Sequence, residues 1–215
     1  MCYDLLESVE NENLMDILFS DEATFHVCGK MHRHNSRIWA YEEPHEVSEW
    51  ERDTPKVNVW LGMTNAKLYG PFFFAERSIT GNIYLNMLEL ILEPQLQEDG
   101  ILDAVVFQQD GAPPHFAHIV RDYLNRTFPG RWIGRGSPRL WASRSPDLTP
   151  LDFFAWGYIK FKVYTSKVNG LPELRNRIRE ATGQITVEML QSTFRSTTER
   201  WSMCFDLDGG HVERH

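Results

Sequence analysis

Three aspartates stand where an acidic side chain is unexpected. Asp21 interrupts an apolar run, Asp110 ends another one, and Asp152 lies in the first turn of a predicted helix. A buried carboxylate is costly unless it is paired or binds a metal ion. Mg²⁺ and Mn²⁺ prefer such oxygens together with the oxygens of a substrate phosphate. Two ions about 4 Å apart would activate an attacking hydroxyl and stabilise a leaving oxygen, which is phosphodiester chemistry.

Each of these acids also has a purely structural interpretation. Asp110 and Gly111 form a favoured turn dipeptide. The segment 149–152 resembles a capping box, in which Asp152 would stabilise the helix start and interact with the helix dipole. Asp21 would be satisfied by an ion pair with an arginine. Taken alone, none of the three acids decides between the two interpretations, whereas together they favour a shared metal site.

The surrounding pattern predicts strands first and helices later. Predicted strands are 17–27, with an interruption at 20–22, then 56–64, 68–74 and 104–109. Predicted helices are 81–97, a segment directly after the Pro113-Pro114 pair, 150–164, 171–181 and 186–201. The first three strands indicate a meander, and the whole order indicates an α/β domain with a mixed sheet. If the first and fourth strands are neighbours, Asp21 and Asp110 face each other near the carboxyl ends of these strands.

Composition limits the class of protein. The 215 residues are 42% hydrophobic, which suffices for one well-packed core. No apolar stretch approaches the roughly 18 residues that a membrane span needs, and the N-terminus lacks a signal-peptide profile. The three cysteines are far apart, which argues against a disulfide framework. We therefore expect a soluble intracellular protein without a membrane partner.

The charge is unevenly distributed. The net charge is -8, which argues against binding of nucleic acid by charge alone. Three segments, 23–41, 129–146 and 153–172, nevertheless contain neither Asp nor Glu, and aromatic residues interleave with their basic residues. Such segments suit phosphate contacts and base stacking, although solvated loops are an equally good explanation. The candidate DNA contacts are Arg131, Trp132, Arg135, Arg139, Trp141, Arg144, Lys160 and Lys162.

Three motifs carry a family resemblance. FSDEATF (19–25), FQQDGAPPH (107–115) and RSPDLTPLDFF (144–154) resemble, in order and at compatible spacings, the three acidic blocks of the mariner-like transposases. These are DDE/DDD-type enzymes with a ribonuclease-H-like fold. The resemblance extends from about residue 14 to the C-terminus. It divides the chain into an N-terminal remnant (1–13), a catalytic domain (14–205) and a polar tail (206–215), which we expect to be extended or frayed.

The resemblance implies a role for individual residues. It makes Asp21, Asp110 and Asp152 the catalytic and metal-binding triad, with Mg²⁺ or Mn²⁺ as the cofactor. Asp147 is the competing third acid, but the family pattern places the catalytic residue last and on the helix. His115 matches a family histidine near the site, and a partly exposed helix-start residue is an equally good interpretation of it.

The function implied is metal-dependent DNA transposition, with hydrolysis and strand transfer of DNA phosphodiesters in the nucleus. DNA is the expected partner, with a second copy or a full-length transposase as a further one. Two departures favour an alternative, an inactive remnant that binds nucleic acid or a partner transposase. Only 20 residues precede Asp21, too few for the family's helix-turn-helix modules, and 141–143 replace the family's Trp-Pro-Pro. A ribonuclease H that cleaves RNA–DNA hybrids is a third possibility.

Overall fold

The structure is a computed structural model, and it describes residues 17–29, 54–139, 141 and 145–212. The strands in this part of the chain are β1 (Ile17–His26), β2 (Lys56–Met63), β3 (Leu68–Phe73), β4 (Val106–Gln108) and β5 (Trp132–Ile133). The α-helices are α1 (Gly81–Met87), α2 (Glu93–Glu98), α3 (His118–Thr127), α4 (Trp156–Val163), α5 (Leu171–Gly183) and α6 (Val187–Asp206). One π-helical turn, Leu88–Leu92, joins α1 to α2, and another, Leu151–Ala155, leads into α4.

The strands form one mixed sheet in the order β3-β2-β1-β4-β5. β1, β2 and β3 pair antiparallel, as the predicted meander requires. β4 is parallel to both of its neighbours, β1 and β5. Phe19 of β1 lies opposite Gln108 of β4, so Asp21 and Asp110 each follow two residues later along neighbouring parallel segments. The predicted adjacency of the first and fourth strands is therefore confirmed.

Helices cover both faces of the sheet. Leu18 and Trp60 belong to a buried cluster that includes residues of α1, α2 and α3. Phe19 and Val59 belong to a second cluster on the other face, with residues of α4, α5 and α6. Consecutive residues of β1 and β2 thus enter opposite clusters, as the two-residue period of a strand demands. The predicted α/β class, a ribonuclease-H-like mixed sheet flanked by helices, is confirmed.

β1 runs unbroken through 20–22, which corrects the predicted interruption. β2 supplies a pairing partner for every residue of β1 from Phe19 to His26. β4 pairs only with 17–19. The polar residues 20–22 of β1 therefore lie beyond the end of β4. On that side of β1 no strand of the described part of the chain occupies the space, so side chains can approach it.

Two local features differ from the sequence-based prediction. β5 falls in a segment predicted as a loop, because a strand of two residues carries no readable periodicity. The stretch after β4 is also not a direct transition to a helix. It passes through turns and begins α3 only at His118. No helix in the described ranges is both long and apolar enough to cross a membrane.

Three residues predicted to contact DNA are used inside the fold instead. Trp132 is 1% exposed, and its Nε1 donates to Asn125 Oδ1. Trp141 is 8% exposed and packs edge-on against Phe19. Burial at these levels excludes base stacking by either indole ring. The Arg131 guanidinium donates to backbone carbonyls, including that of Val105 at 2.8 Å, so its donors already hold the protein together.

The C-terminal segment is anchored rather than frayed as far as residue 212. Val212 is 3% exposed, and its amide donates to Asp147 Oδ2 at 2.9 Å. His211 Nδ1 lies 2.8 Å from the same carboxylate, and Arg200 donates to the Asp147 backbone carbonyl. Asp147, predicted as a competing catalytic acid, is therefore a tail anchor, because its carboxylate is only 10% exposed and is held by these groups.

We expect Asp147→Ala to lower the free energy of unfolding by about 1–2 kcal/mol, because the buried amide of Val212 loses its charged acceptor. Urea denaturation followed by circular dichroism measures the change. Asp206→Ala is the matched control, since Asp206 is an exposed acid at the end of α6, and its effect should stay within about 0.5 kcal/mol. Equal effects of the two variants would contradict the anchor role.

Candidate active site

Asp21 and Asp110 are brought together by the pairing of β1 with β4. The buried Ser20 hydroxyl donates to the Gln108 carbonyl at 2.8 Å and links the strands directly before the two acids. The Gln109 amide donates to the carbonyl of Ile133, which continues the contact with β5 past the end of β4. The backbone leading to each acid is thus fixed by hydrogen bonds on neighbouring strands.

A closed turn holds Asp110. Its Oδ1 accepts from the Ala112 amide at 2.9 Å, so Asp110 does form the predicted turn. The side chain of the fully buried Gln109 donates to the His115 carbonyl at 3.1 Å. The glutamine before the acid therefore ties the two ends of the Gly-Ala-Pro-Pro segment together, and this fixes the direction of the Asp110 side chain.

His115 connects Asp110 to a fourth acid, Glu22. Its Nδ1 lies 2.5 Å from Asp110 Oδ1, and its Nε2 lies 3.1 Å from Glu22 Oε2. The imidazole is 3% exposed and lies against the Tyr84 ring, with centroids 4.1 Å apart. Burial lowers the pKa of His115, but the charges and hydrogen bonds of Glu22 and Asp110 outweigh it and raise this pKa to about 10. His115 is a buried imidazolium clamped between two carboxylates.

Asp152 belongs to the helical layer of α4, α5 and α6, on the face of the sheet opposite to α1, α2 and α3. It lies in the π-helical turn before α4, where the Trp156 amide reaches back to the Leu151 carbonyl. The Asp152 amide donates to the carbonyl of Thr149, not to its hydroxyl, and that hydroxyl donates to Ser145. The capping-box interpretation therefore fails, and helix capping does not explain this acid.

Trp156 couples this helix to β1. Its Nε1 donates to Asp21 Oδ2 at 2.8 Å, and its ring packs edge-on against Phe25. Trp156 follows Asp152 by four residues, so it lies on the same side of the helix. One helical face thus brings both an acid and a hydrogen-bond donor to Asp21.

The acids of this cluster have different pKa values. Burial, followed by the charges of Asp152 and Glu22, raises the pKa of Asp21 well above its usual value, although the hydrogen bond from Trp156 opposes the rise. Burial and the charge of Asp110 raise the pKa of Asp152 to about 7. Burial also acts on Asp110, but the hydrogen bond and charge of His115 outweigh it, so the pKa of Asp110 is lowered. The cluster holds more carboxylates than its own cation neutralises.

The donors present fit a hard divalent cation. Asp21, Asp110 and Asp152 offer oxygen atoms only, and the raised pKa values of two of them mean that a positive charge would stabilise their ionised form. Within the described ranges, no three His, Cys, Asp or Glu side chains are already arranged to enclose a metal ion. The three acids are thus electrostatically coupled but do not yet converge at ligand distance.

The remaining residues predicted to contact DNA differ in exposure. Lys162 is exposed, and its ammonium lies 5.5 Å from the centroid of the Tyr158 ring. Lys160 is partly buried over Phe25, and this burial lowers its pKa, while Asp152 and Asp21 partly offset the effect. Arg135 is exposed and Arg139 is partly buried. Arg144 lies outside the described residues.

Glu22, Tyr84 and Trp156 belong to the site but were not predicted. Glu22 directly follows Asp21 and fell in the predicted interruption at 20–22, so no role was assigned to it. Tyr84 lies within the predicted helix 81–97, and nothing in that helix pattern distinguishes it from a core residue. Trp156 carried a usable signal, its four-residue spacing from Asp152, which places both side chains on one helical face.

Comparisons with known proteins agree with this fold. The chain is 28% identical over 190 residues to the transposable element Tc3 transposase of Caenorhabditis elegans, a match that covers 87% of this chain and 55% of that protein. Its structure superposes on the catalytic domain of the Mos1 mariner transposase with a TM-score of 0.72, at 20% identity, over 99% of this chain and 92% of that one. The chain is thus similar in sequence to the Tc3 transposase and in fold to the catalytic domain of the Mos1 mariner transposase. No protein-family model matches it.

The same fold occurs in a larger assembly. The superposition on the mariner Mos1 paired-end complex with Mg has a TM-score of 0.79, at 20% identity, and covers 99% of this chain and 61% of that one. The chain spans about half the length of the Tc3 transposase, 55% of it. It therefore corresponds to one portion of the longer transposases that it resembles.

We expect His115→Ala to lower the free energy of unfolding by about 2 kcal/mol, because Glu22 and Asp110 would be left facing each other without a cation. Urea denaturation at neutral pH measures the loss. His118→Ala is the matched control, since His118 is 78% exposed in its ion pair with Asp122, and exposed pairs contribute about 0–1 kcal/mol. A His115 variant as stable as the control would show that the clamp contributes nothing.

Proposed function

We propose that this chain is a metal-dependent DNA transposase catalytic domain that hydrolyses and transfers DNA phosphodiesters. The observation that carries the proposal is the electrostatic coupling of Asp21 on β1, Asp110 directly after β4 and Asp152 in the turn before α4, with the pKa of Asp21 and of Asp152 raised by burial and by neighbouring carboxylates. A structural cluster of acids would be destabilising without a cationic ligand.

Each residue of the site has a distinct task. Asp21, Asp110 and Asp152 would hold Mg²⁺ or Mn²⁺. The bound ion would lower the pKa of an attacking hydroxyl and stabilise the leaving oxygen. Trp156 holds the Asp21 carboxylate by a 2.8 Å hydrogen bond. His115 holds Asp110 in its ionised form by hydrogen bonding and charge. The chain's own contribution is therefore to hold Asp21 in place and to keep Asp110 ionised before substrate arrives.

DNA is the proposed substrate and partner. Mos1 has been crystallised as paired-end complexes with Mg and with Mn and as a strand transfer complex, which supports the same class of cofactor and substrate for this chain. Exposed Lys162 and Arg135 would contact the DNA backbone. Action on chromosomal DNA would take place in the nucleus, together with a second copy of the chain or a full-length transposase.

Mn²⁺ binding tests the site independently of any DNA sequence. In isothermal titration calorimetry we expect saturable binding to the wild type and a loss of affinity of about tenfold or more in Asp110→Asn, since one carboxylate ligand is removed. Asp122→Asn is the control, because Asp122 is a 60% exposed acid paired with His118 on α3. Absence of binding to the wild type would favour the inactive remnant.

DNA nicking tests the identity of the third acid. With Mg²⁺ or Mn²⁺ and supercoiled plasmid as the probe, we expect Asp152→Asn to reduce nicking about a hundredfold or more, because a metal ligand supplies several kcal/mol of transition-state stabilisation. Asp147→Asn should retain nicking below its unfolding temperature, since it anchors only the tail. The reverse pattern would make Asp147 the catalytic acid.

A further inference from the structure

Two arginines, Arg121 and Arg135, share one phenylalanine ring directly after His115 in the chain, and this shared contact adds to the DNA contact proposed above for Arg135 alone. The Arg121 and Arg135 guanidinium carbons lie 4.5 Å and 4.2 Å from the centroid of the same ring, that of Phe116. Phe116 directly follows His115, whose imidazole contacts Asp110 and Glu22. We call Arg121, Arg135 and Phe116 the diarginine cluster.

The two guanidiniums lack conventional partners. Among the described residues, neither side chain forms an ion pair or donates a hydrogen bond to a protein oxygen, and Arg121 Nε is buried without an acceptor. A ring face interacts with the positive charge but accepts no ordinary hydrogen bond, so no protein oxygen in the described residues occupies the N–H donors of either guanidinium, and a phosphate can replace the water on them. Two like charges held close to one ring also repel each other unless an anion joins them.

The backbone around the cluster is built to bring the two arginines together. Arg121 lies on α3, whereas Arg135 lies in the turn after β5. Gly136 in that turn has φ +88°, and a Cβ there would meet Arg121 Cδ and a Phe116 ring carbon at 3.1 Å each. The buried Ser137 hydroxyl donates to the Trp132 carbonyl at 2.5 Å and fixes the turn. A side chain at this position would be strained by the positive φ and would press on both groups, so glycine favours the close approach.

We propose that the diarginine cluster binds a backbone phosphate of the DNA strand that enters the acidic site. This inference rests on the proposed function, and it adds a binding position that the triad does not supply. Guanidiniums present planar sets of donors that match phosphate oxygens, which is why paired arginines suit phosphate rather than a carboxamide or a neutral sugar. In a chain with a net charge of -8, such a local concentration of unpaired positive charge also directs the DNA to one place.

Fluorescence anisotropy with a fluorescein-labelled DNA duplex, repeated at several KCl concentrations, tests this proposal. We expect Arg121→Gln and Arg135→Gln each to weaken binding roughly five- to tenfold at low salt. The double variant should reduce the slope of log affinity against log salt by about two, because two phosphate contacts are lost. Phe116→Leu keeps both charges but removes their support, so it should weaken binding without changing net charge.

Arg179→Gln is the matched control. Arg179 lies over the Phe73 ring at 4.8 Å, on α5 in the opposite helical layer, so its substitution removes one charge and one ring contact away from the cluster. An equal loss in this variant would show a general charge effect and overturn the proposal. Arg135 is exposed, so Arg135→Gln remains informative even if Arg121→Gln unfolds the chain.

Mn²⁺ titration separates the two proposals. The double variant should bind Mn²⁺ like the wild type, because neither arginine is a metal ligand. Wild-type binding of both Mn²⁺ and DNA, together with an unchanged salt slope in the double variant, would overturn the diarginine cluster alone. A wild type that binds neither Mn²⁺ nor DNA would overturn the proposed function and the cluster together.

Discussion

The parallel pairing of β1 with β4, and its early end, is the constraint on which the site depends. β4 stops at Gln108, whereas β1 continues to His26 with support from β2 alone. Asp21 thus remains in a rigid strand while one flank of that strand is free to receive side chains from the turn after β4 and from α4. A longer β4 would fill this flank with backbone hydrogen bonds, and a shorter β1 would leave Asp21 on a loop.

Charge balance within this opening explains why the four acids do not behave alike. His115 offers one positive charge to Asp110 and Glu22, and it leaves Asp21 and Asp152 without a comparable partner. The partly buried Lys160 compensates only in part, because burial lowers its own pKa. The protein therefore keeps one carboxylate ionised by internal means and leaves two others dependent on a cation from outside.

The sequence predicted the framework better than the surroundings of the site. Long periodic segments, such as the helix near 171–181 and the strand at 56–64, have enough residues to show their period. The acidic motifs singled out Asp21, Asp110 and Asp152, which the fold couples electrostatically, and their catalytic role stays a prediction. The two-residue strand β5 has no period to detect. Trp132 and Trp141 were misassigned because a basic segment rich in tryptophan looks the same whether its indole rings face solvent or the core. The pairing of His115 with Glu22 joins residues 93 positions apart, so no local pattern encodes it.

The π-helical turn Leu151–Ala155 sets the angle at which Asp152 meets the sheet. Such a turn holds one residue more than the matching α-helical turn, and each residue of an α-helix rotates a side chain by about 100°. Loss of a single residue here would leave α4 packed by Ile159 and Val163 as before but would swing Asp152 around the helix axis, away from Asp21. The number of residues in this one turn therefore determines the direction of the Asp152 side chain. A one-residue deletion that leaves the fold intact would be sufficient to separate Asp152 from the other acids.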